Sequence, residues 1–525
     1  MLERAVRWAK SRGAQQLIER FPQHREAWDY PALILGHDVL ARIEPWQNSA
    51  FRLETTASED CRYGIAVKLL VTMYLFRRYM AAFLLVEALK QAQATPVRGV
   101  SPALYGLAIA WFGADALPGV RPLQLPARLI NLPLLLAGLL AGLVFIAKRI
   151  RGSVTPQSVF LMADFNNDPR DFLLYDRLAD LGPIVLLMRN AEIQSRALPG
   201  AEEFGQFLPG DGAFTASGAA ATAVRVFGDG LGLFLRYGWA EPSLFWQIAL
   251  LPYRRSVIRA LFNKIRPRIF WSRDDYNVEH VIRRQELNIF GGHQFGLNHA
   301  VQGITILMPQ MRHVSMDVYF TMGSAFHPYY RDTWKVAKLC PIGSFAFSPD
   351  YLARPRRTTH AILFMARFAI CNPEFIKAVR FAAAAFPDRT ILLQVKSGYP
   401  HDVAIPEFIA ACTQGCSNVQ AVSTPVYDLI LSADMVVSDA STIVAELIEL
   451  GTPVIMLDVL ENHRQSIYRH FPGLSVRSAE EAVFALQRLI SGEEIFDREK
   501  FQDLINLAGP LYTEIIRSEM TQAGH

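Results

Sequence analysis

The sequence predicts an α/β protein with two tandem, doubly wound parallel sheets of the Rossmann-like kind, preceded by a hydrophobic helical region. The chain has 525 residues, more than the roughly 250–300 over which a single core keeps growing, so two or more domains are expected. Short apolar runs alternate with amphipathic segments after residue 153, a pattern typical of parallel strands joined by helices. An uncharged apolar stretch precedes them at 129–147.

Composition narrows the class of protein. The net charge of +4 is mildly basic and lacks the clustered charge of a nucleic-acid binder, although a locally basic face can still meet anionic lipid or phosphate. The cysteines are odd in number and scattered, which predicts no disulfide framework and a reducing cytoplasm. They are Cys61, Cys340, Cys371, Cys412 and Cys416. The first residues resemble a basic amphipathic helix without a cleavage site, so no secretory signal is predicted.

The stretch LINLPLLLAGLLAGLVFIA, 129–147, is long enough to span a bilayer. The basic cluster at 148–151 would keep the following residues in the cytoplasm. The alternative is a buried hairpin helix kinked at Pro133. The apolar segment 64–90 carries charges and is predicted to be an interfacial or packed helix. We therefore expect the protein at the cytoplasmic face of the membrane, peripheral or with one or two membrane-inserted helices.

The first sheet is predicted from several segments of different clarity. Residues 158–189 read as a strand, an amphipathic helix closed by Gly-Pro, and a second strand. Residues 196–235 form a less regular Gly- and Ala-rich section. A strand ending at Trp271-Ser272, a helix over about 277–287 and a strand at 316–325 follow.

The last third of the chain is more regular. Its strand-like segments are 360–369, 389–398, 418–422, 433–439, 453–459 and 474–478, with amphipathic helices between them. The boundary between the two sheets is expected near KVAKLCPIGS, 335–344. The predicted organisation is an N-terminal segment (1–60), a hydrophobic, membrane-associated region (61–152), an acceptor domain (153–338) and a nucleotide-donor domain (339–525).

The stretch MVVSDASTIVAELIELGTPVIMLDV carries the clearest candidate site. Ser438 and Asp439 end a strand, and Ser441 or Thr442 begins a helix whose free N–H groups favour an anion. Thr442 and Glu446 are four residues apart and share a helix face. A nucleotide diphosphate would place its phosphates at the hydroxyls and its ribose at Glu446, and Asp439 is a further candidate contact of the nucleotide. Simple capping of the helix by these side chains is the alternative, and the two roles do not exclude each other.

This stretch resembles GT-B-type enzymes of bacterial surface-polymer synthesis, especially the CDP-glycerol glycerophosphotransferase-like group. The likeness extends less specifically over residues 355–490. It implies that the serine-rich turn binds donor phosphates and that the acidic residue one turn later holds the ribose. Those roles would fall on Ser438, Ser441, Thr442 and Glu446. Sugar-nucleotide epimerases of the same architecture carry a similar motif.

The N-terminal half of that group has a His-Gly dipeptide followed by an Asp-aromatic strand. GGHQFGLNHAVQGI and MDVYFTMG in this sequence look similar. The resemblance implies that His299 is the catalytic base, but Ala300 replaces the glycine, and its methyl group restricts approach of a phosphate to the backbone. His293 is a second candidate base. A loop histidine without a chemical role is the alternative for each.

Three further turns follow predicted strands. In WSRDDYN, Asp274 or Asp275 could act as a general base toward an acceptor hydroxyl, and Arg273 could hold a phosphate; a solvated, salt-bridged turn is the alternative. Lys396 could neutralise the donor diphosphate, or it could simply be exposed. The segment FNNDPRD, 165–171, is expected to help form the acceptor side.

The sequence shows no metal-ligand spacing, P-loop or Gly-x-Gly-x-x-Gly fingerprint where one would be needed, which argues against a dehydrogenase and predicts no metal or other cofactor. The expected partners are a nucleotide-activated sugar or CDP-alditol, a polysaccharide or lipid-linked acceptor, and membrane lipid. The predicted function is transfer of a glycosyl or alditol-phosphate group to a surface polysaccharide such as capsule. A UDP-sugar 2-epimerase-like enzyme and a non-catalytic GT-B-like scaffold are the alternatives; Ala300 favours the scaffold.

Overall fold

The computed structural model describes residues 37–53, 62–91, 98–124, 126–165, 167–273, 277–298, 301, 311–357, 359–370, 372–396, 404–459 and 466–524. These residues belong to two compact units. The N-terminal unit comprises Val39–Ala300, Leu307–Pro349 and Ala508–His525, and the C-terminal unit contains Asp350–Leu507.

The N-terminal unit begins with helices and a small parallel ladder. These elements are α1 (His37–Ala50), α2 (Gly64–Gln91), β1 (Arg98–Val100), α3 (Pro102–Phe112), β2 (Arg121–Pro122) and α4 (Ala127–Lys148). The uncharged run predicted from the sequence forms α4, and Pro133 lies inside that helix.

The first sheet has seven parallel strands in the order β5-β4-β3-β6-β7-β8-β9. Counted from its first strand in the chain, this is the doubly wound order 3-2-1-4-5-6 with one strand added. The strands are β3 (Gln157–Phe165), β4 (Ile184–Met188), β5 (Gly205–Phe207), β6 (Ile265–Ser272), β7 (His293–Leu297), β8 (Ser315–Thr321) and β9 (Lys335–Pro341). The accompanying helices are α5 (Pro169–Leu178), α6 (Ala191–Ser195), α7 (Ala216–Tyr237), α8 (Pro242–Ala249), α9 (Leu251–Lys264), α10 (Val278–Ile289) and α11 (His327–Tyr330).

The C-terminal unit contains a six-stranded parallel sheet in the order β12-β11-β10-β13-β14-β15, which is the order 3-2-1-4-5-6. Its strands are β10 (Ala361–Ala366), β11 (Thr390–Val395), β12 (Val419–Val422), β13 (Met435–Ser438), β14 (Val454–Leu457) and β15 (Ser475–Val476). Its helices are α12 (Pro349–Leu352), α13 (Pro373–Ala385), α14 (Ile405–Thr413), α15 (Val426–Ile430), α16 (Ile443–Glu449) and α17 (Ala479–Ser491). The predicted class, two doubly wound parallel sheets in tandem, is confirmed.

Two local expectations differ from the structure. The segment expected as the domain boundary, 335–344, supplies β9, which pairs in parallel with β8 and adds a seventh strand to the first sheet. The section expected to be irregular contains α7, a 22-residue helix capped by the Thr215 hydroxyl. Its glycines lower helix propensity, but they allow close packing: a methyl group on Gly230 would lie 2.6 Å from Leu139 of α4.

The chain returns to the N-terminal unit at its end. The last helix, α18 (Tyr512–Gly524), contributes Tyr512, Ile516 and Met520 to the core on one side of the first sheet. Arg517 pairs with Asp180 at 2.5 Å. The sequence-based division assigned all of 339–525 to one domain, whereas these last residues pack with the first sheet.

Candidate functional site

The strand order of the C-terminal unit defines where a ligand is expected. β10 and β13 are neighbours, and the connections from them run to opposite sides of the sheet. In sheets of this kind ligands bind outside the carboxyl ends of the strands at that switch point. Lys396, Arg367 and Ser438 stand at the ends of the adjacent strands β11, β10 and β13. The sequence pointed to Lys396 and Ser438; Arg367 was missed.

Asp439 organises this edge instead of facing a ligand. The side chain is 1% exposed, and its Oδ2 accepts hydrogen bonds from three successive backbone N–H groups. The donors are Arg367 at 2.7 Å, Phe368 at 2.5 Å and Ala369 at 2.9 Å. The carboxylate therefore fixes the loop after β10 to the end of β13. The expected contact of Asp439 with a nucleotide gives way to this structural role.

The hydroxyls of the turn divide into two kinds. Ser438 is fully buried and its Oγ donates to the carbonyl of Asp439 at 3.0 Å, so it serves the turn itself. Thr442 stands at the N-cap of α16 but makes no side-chain hydrogen bond to the helix, and Ser441 is half-buried. Simple capping is therefore not the role that the geometry gives to Thr442.

Glu446 lies one turn into α16 and is nearly buried. Its Oε2 accepts a hydrogen bond from the Tyr427 hydroxyl at 3.3 Å. Tyr468 donates its hydroxyl to the carbonyl of Ser441 at 2.5 Å, and burial, followed by the negative charge of Glu446, raises the pKa of Tyr468 well above its ordinary value. The two tyrosines are local partners of the motif that sequence reasoning missed, because they come from other elements of the unit.

Two basic residues flank the turn. Lys396 is exposed, and its backbone N–H donates to the carbonyl of Ala366 at 3.0 Å, which holds the end of β11 beside β10. Arg367 is half-buried and its guanidinium lies 4.6 Å from the centre of the Phe368 ring. Besides the buried carboxylates of Asp439 and Glu446, the edge of the sheet thus carries two cations and the hydroxyls of the turn.

In the N-terminal unit, Arg273 follows β6 and forms ion pairs with two carboxylates. Its Nη1 donates to Asp168 at 2.8 Å and to Asp171 at 3.0 Å, and the guanidinium lies 4.7 Å from the centre of the Phe345 ring. Asp168 also caps α5. The structure thus brings Arg273 together with the 165–171 segment, and the salt-bridged alternative describes this turn better than an open phosphate site.

Asp171 makes folding stability depend on pH. Burial raises the pKa of its carboxyl from 3.8 to about 6, against the opposing charge of Arg273. The folded state therefore holds a proton that the unfolded chain has lost between about pH 4 and 6, so this group lowers stability as the pH rises through that window. For Asp168, burial opposes ionisation, but hydrogen bonds from Arg170 and Arg273 prevail and hold its pKa below the ordinary value, so its effect lies below that window.

We expect Asp171→Asn, which mimics the protonated carboxyl, to remove this decline. The free energy of unfolding of the variant relative to wild type should rise between about pH 4 and 6 and stay constant above about pH 7. Urea unfolding at pH 4.5, 5.5, 6.5 and 7.5 measures it. Parallel profiles for the two proteins would show that Asp171 titrates normally.

The candidate bases are distributed unevenly. His299, Asp274 and Asp275 lie outside the described residues, as does Ala300. His293 is the first residue of β7 and is exposed; in a parallel sheet it lies at the edge opposite the carboxyl ends, away from Arg273. His293 is therefore not a candidate for the catalytic base. A further histidine, His327, has no pattern in the sequence that marks it. Its Nε2 lies 3.0 Å from Thr321 Oγ1 at the end of β8, and burial lowers its pKa.

A cavity of about 390 Å³ opens beside the switch point of the first sheet. At one wall, Asp164 Oδ2 accepts from Arg283 Nη1 at 3.2 Å, and its Oδ1 accepts from Arg189 Nε at 3.4 Å. Arg254 pairs with Glu279 at 2.8 Å, so three guanidinium groups face two carboxylates. The opposite wall is apolar and consists largely of α9 residues: Tyr253, Val257, Ile258, Leu261 and Phe262.

Among the described residues, three helices are long and apolar enough to cross a membrane: Gly64–Glu87, Ala127–Lys148 and Ala216–Tyr237. The first is largely packed inside the unit, whereas α4 and α7 each expose one apolar face. Most of the exposed apolar residues recur at intervals of three and four and so form one stripe on each helix, with Ile130 and Val144 beside the stripe of α4. The stripes are made of nine residues. They are Leu129, Leu132, Leu136, Leu140 and Leu143 on α4, and Val224, Phe227, Leu231 and Leu235 on α7.

No protein-family model and no curated protein matches the chain. Several solved structures are similar. MurG from Acinetobacter baumannii has a TM-score of 0.41 and 10% identity, over 70% of this chain and 100% of that one. The wall teichoic acid polymerase TagF has a TM-score of 0.41 and 10% identity, over 76% of this chain and 96% of that one. UDP-GlcNAc 2-epimerase from Neisseria meningitidis has a TM-score of 0.42 and 10% identity, over 70% of this chain and 100% of that one. At such identities and TM-scores these similarities carry no conclusion about function, and the two doubly wound sheets rest on the strand orders described above.

Proposed function

We propose that this chain is a membrane-associated transferase that moves a glycosyl or alditol-phosphate group from a nucleotide-activated donor to a polysaccharide or lipid-linked acceptor. One observation carries the proposal. At the switch point of the C-terminal sheet, a buried carboxylate, Glu446, lies one helical turn beyond Ser441 and Thr442. Hydroxyls suit phosphate oxygens, and a carboxylate suits the two hydroxyls of a ribose.

In this mechanism the C-terminal unit binds the donor. Ser441 and Thr442 contact the diphosphate, Lys396 and Arg367 offset the charge that develops on the departing nucleotide phosphate, and Glu446 orients the ribose. The acceptor base is proposed among His299, Asp274 and Asp275. No metal or other cofactor is proposed.

The acceptor is proposed to bind in the N-terminal unit at the cavity beside β3 and β6. Its excess of arginine over carboxylate favours an anionic acceptor group. Its apolar wall along α9 suits a hydrocarbon or ring portion. A lipid-linked acceptor would satisfy both walls.

We further propose that α4 and α7 hold the protein on the cytoplasmic face of the membrane by lying in the interface. The other face of α4 packs into the unit: the Asn131 amide donates to the carbonyls of Gly238 and Ala240 at 2.9 and 2.7 Å. A methyl group on Gly138 would lie 2.5 Å from the carbonyl oxygen of Ala249. A helix packed against protein on one face and apolar on the other suits a surface location.

Calorimetric titration of the detergent-purified full chain with CDP-glycerol, UDP-GlcNAc, CDP and UDP tests donor binding. We expect a saturable response to at least one nucleotide series; no response to any of them would refute the donor site. Product analysis with the same donors then distinguishes the functions. Transfer to a lipid-linked acceptor supports the proposal, epimerised nucleotide sugar would indicate the 2-epimerase alternative, and binding without turnover would indicate the scaffold.

A further inference from the structure

A cavity of about 430 Å³ opens at the amino edge of the first sheet, where its parallel strands begin. The proposed acceptor cavity lies at the opposite edge. The walls of the amino-edge cavity come from the first residues of β3 and β6 and from the turns that precede β4 and β7. They include Ser158, Leu181, Pro183, Arg266, Arg268 and Phe290. Neither the donor turn nor the acceptor cavity uses these residues.

Three polar side chains of this cavity lie on the same face of the sheet. Ser158 is the register partner of Arg266 in the parallel pair of β3 and β6, and register partners project from the same face. Arg268 follows Arg266 by two positions on β6, so it returns to that face about 6.6 Å further along. All three residues are exposed. The two guanidinium groups and the hydroxyl can therefore contact one group bound in the cavity.

The two arginines carry positive charge that no carboxylate of the unit offsets. Among the residues that the structure describes, neither Arg266 nor Arg268 donates a side-chain hydrogen bond or forms an ion pair. The Arg266 guanidinium lies 5.7 Å from the centre of the Phe290 ring. None of the described residues that line the cavity is acidic. Because two like charges on one face of a strand repel each other, and because guanidinium groups bind phosphate and carboxylate oxygens strongly, the pair favours a bound oxyanion.

Capping of a helix C-terminus is the alternative role for basic residues in such a place. α10 ends directly before Phe290, but the carbonyls of its last turn already have donors. Leu287 accepts from the Phe290 N–H at 2.9 Å, and Asn288 accepts from the Gly291 N–H at 3.2 Å. The two arginines are therefore available to a group from outside the unit.

The rest of the lining indicates the kind of molecule that carries the oxyanion. Leu181, Pro183 and Phe290 give the cavity an apolar rim that suits the carbon skeleton of a sugar or an alditol, and its volume is typical of pockets for molecules of that size. Among the described lining residues, none belongs to α4 or α7, so a lipid bound here would not place its acyl chains on their exposed stripes.

The distance to the acceptor cavity is suited to a polymer. β3 begins at the amino-edge cavity and carries Asp164 of the acceptor cavity near its other end. Its nine residues cover about 30 Å. Several units of a polysaccharide or polyalditol can extend over that length.

We propose that the amino-edge cavity binds an anionic unit of the polymer on which the enzyme acts. One phosphate or carboxylate group of that unit lies between Arg266 and Arg268, and a hydroxyl of the same unit contacts Ser158. The proposal rests on the transferase function proposed above and specifies that its polymer is anionic. It gives the enzyme a contact with the polymer outside the donor and acceptor sites, so long acceptors should be used better than short ones.

Equilibrium titration of the full chain with poly(glycerol phosphate) and with oligogalacturonate tests the site, in about 0.15 M salt, where exposed charges act over only about 8 Å. Arg266→Gln/Arg268→Gln is the test variant. Arg121→Gln/Arg331→Gln is the matched control, because both arginines are exposed in the same unit and neither lines the cavity. For the polymer that wild type binds, we expect affinity to fall at least about thirtyfold in the test variant and at most about fivefold in the control.

Four results would overturn the proposal. Equal losses in the two variants would reduce the cavity to general surface charge. Binding of neutral dextran as tightly as the anionic polymers would show that the charge is not recognised. Inorganic phosphate that binds wild type as tightly as the polymer would assign the cavity to a small anion. Wild type that binds neither anionic polymer would leave the cavity without its ligand.

Nucleotide titration distinguishes a failure of this site from a failure of the proposed function. Arg266→Gln/Arg268→Gln should bind the donor with wild-type affinity, which also shows that the variant is folded. Wild type that binds nucleotide but neither polymer would keep the transferase and overturn the cavity proposal. Wild type that binds polymer through the two arginines but no nucleotide would support the cavity and refute the transferase.

Discussion

Replacing Asp439 by alanine is expected to lower the free energy of unfolding by about 3–5 kcal/mol, since three backbone N–H groups lose a charged acceptor at once. Two of the donors, Phe368 and Ala369, belong to buried residues, so water cannot readily replace the carboxylate. Chemical unfolding followed by tryptophan fluorescence and circular dichroism measures the effect.

Asp428→Ala is the matched control for that experiment. Asp428 pairs with Arg354 at 3.2 Å, and both side chains are more than half exposed, so its loss should cost at most about 0.5 kcal/mol. A similarly small cost for Asp439→Ala would mean that the loop after β10 does not depend on the carboxylate. It would also return Asp439 to the ligand-contact role that the sequence predicted.

The second large effect is expected for Glu446→Gln in nucleotide binding. The proposed ribose contact loses its charge while the glutamine oxygen can still accept from Tyr427, so the fold should be retained. Loss of a charge-assisted hydrogen bond costs about 1.5–3 kcal/mol, which corresponds to roughly 10- to 150-fold weaker affinity for the donor. Isothermal titration with the nucleotide that binds wild type provides the measurement.

Glu449→Gln controls for the loss of a carboxylate on the same helix. Glu449 is the last residue of α16, about one turn beyond Glu446 and so further from the turn at 438–442. Affinity should be unchanged in this variant. If Glu446→Gln also binds the donor with wild-type affinity, the ribose assignment is wrong even when the nucleotide site itself is real.

The strands of the C-terminal unit were predictable because buried parallel strands are short apolar runs bounded by turns. The role of Asp439 was not, because its partners at 367–369 lie some seventy positions away in the chain. The misplacement of His293 has a simple cause: the GGH turn precedes its strand, and only the residues that follow a parallel strand reach the carboxyl edge.

The N-terminal unit was harder to predict for a different reason. Helix α7 combines glycine and alanine with few charges, and this composition is a weak local signal for a helix. The glycines of α7 stabilise the structure only after α4 has packed closely against that helix. The ion pairs of Asp164 with Arg189 and Arg283 depend in the same way on the completed sheet, although a charged residue inside the apolar run SVFLMADF was a visible indication of a special position.

The return of α18 to the first sheet has a consequence for synthesis of the protein. A ribosome releases the chain from its N-terminus, and domains generally fold as units in that order. Here Ile516 and Met520, fully buried in the N-terminal unit, emerge only after Asp350–Leu507 of the C-terminal unit. The part of the N-terminal core that α18 covers therefore stays exposed until the whole C-terminal unit has been translated. A chain that terminates before residue 512 would keep this apolar surface exposed, and chaperones bind such surfaces.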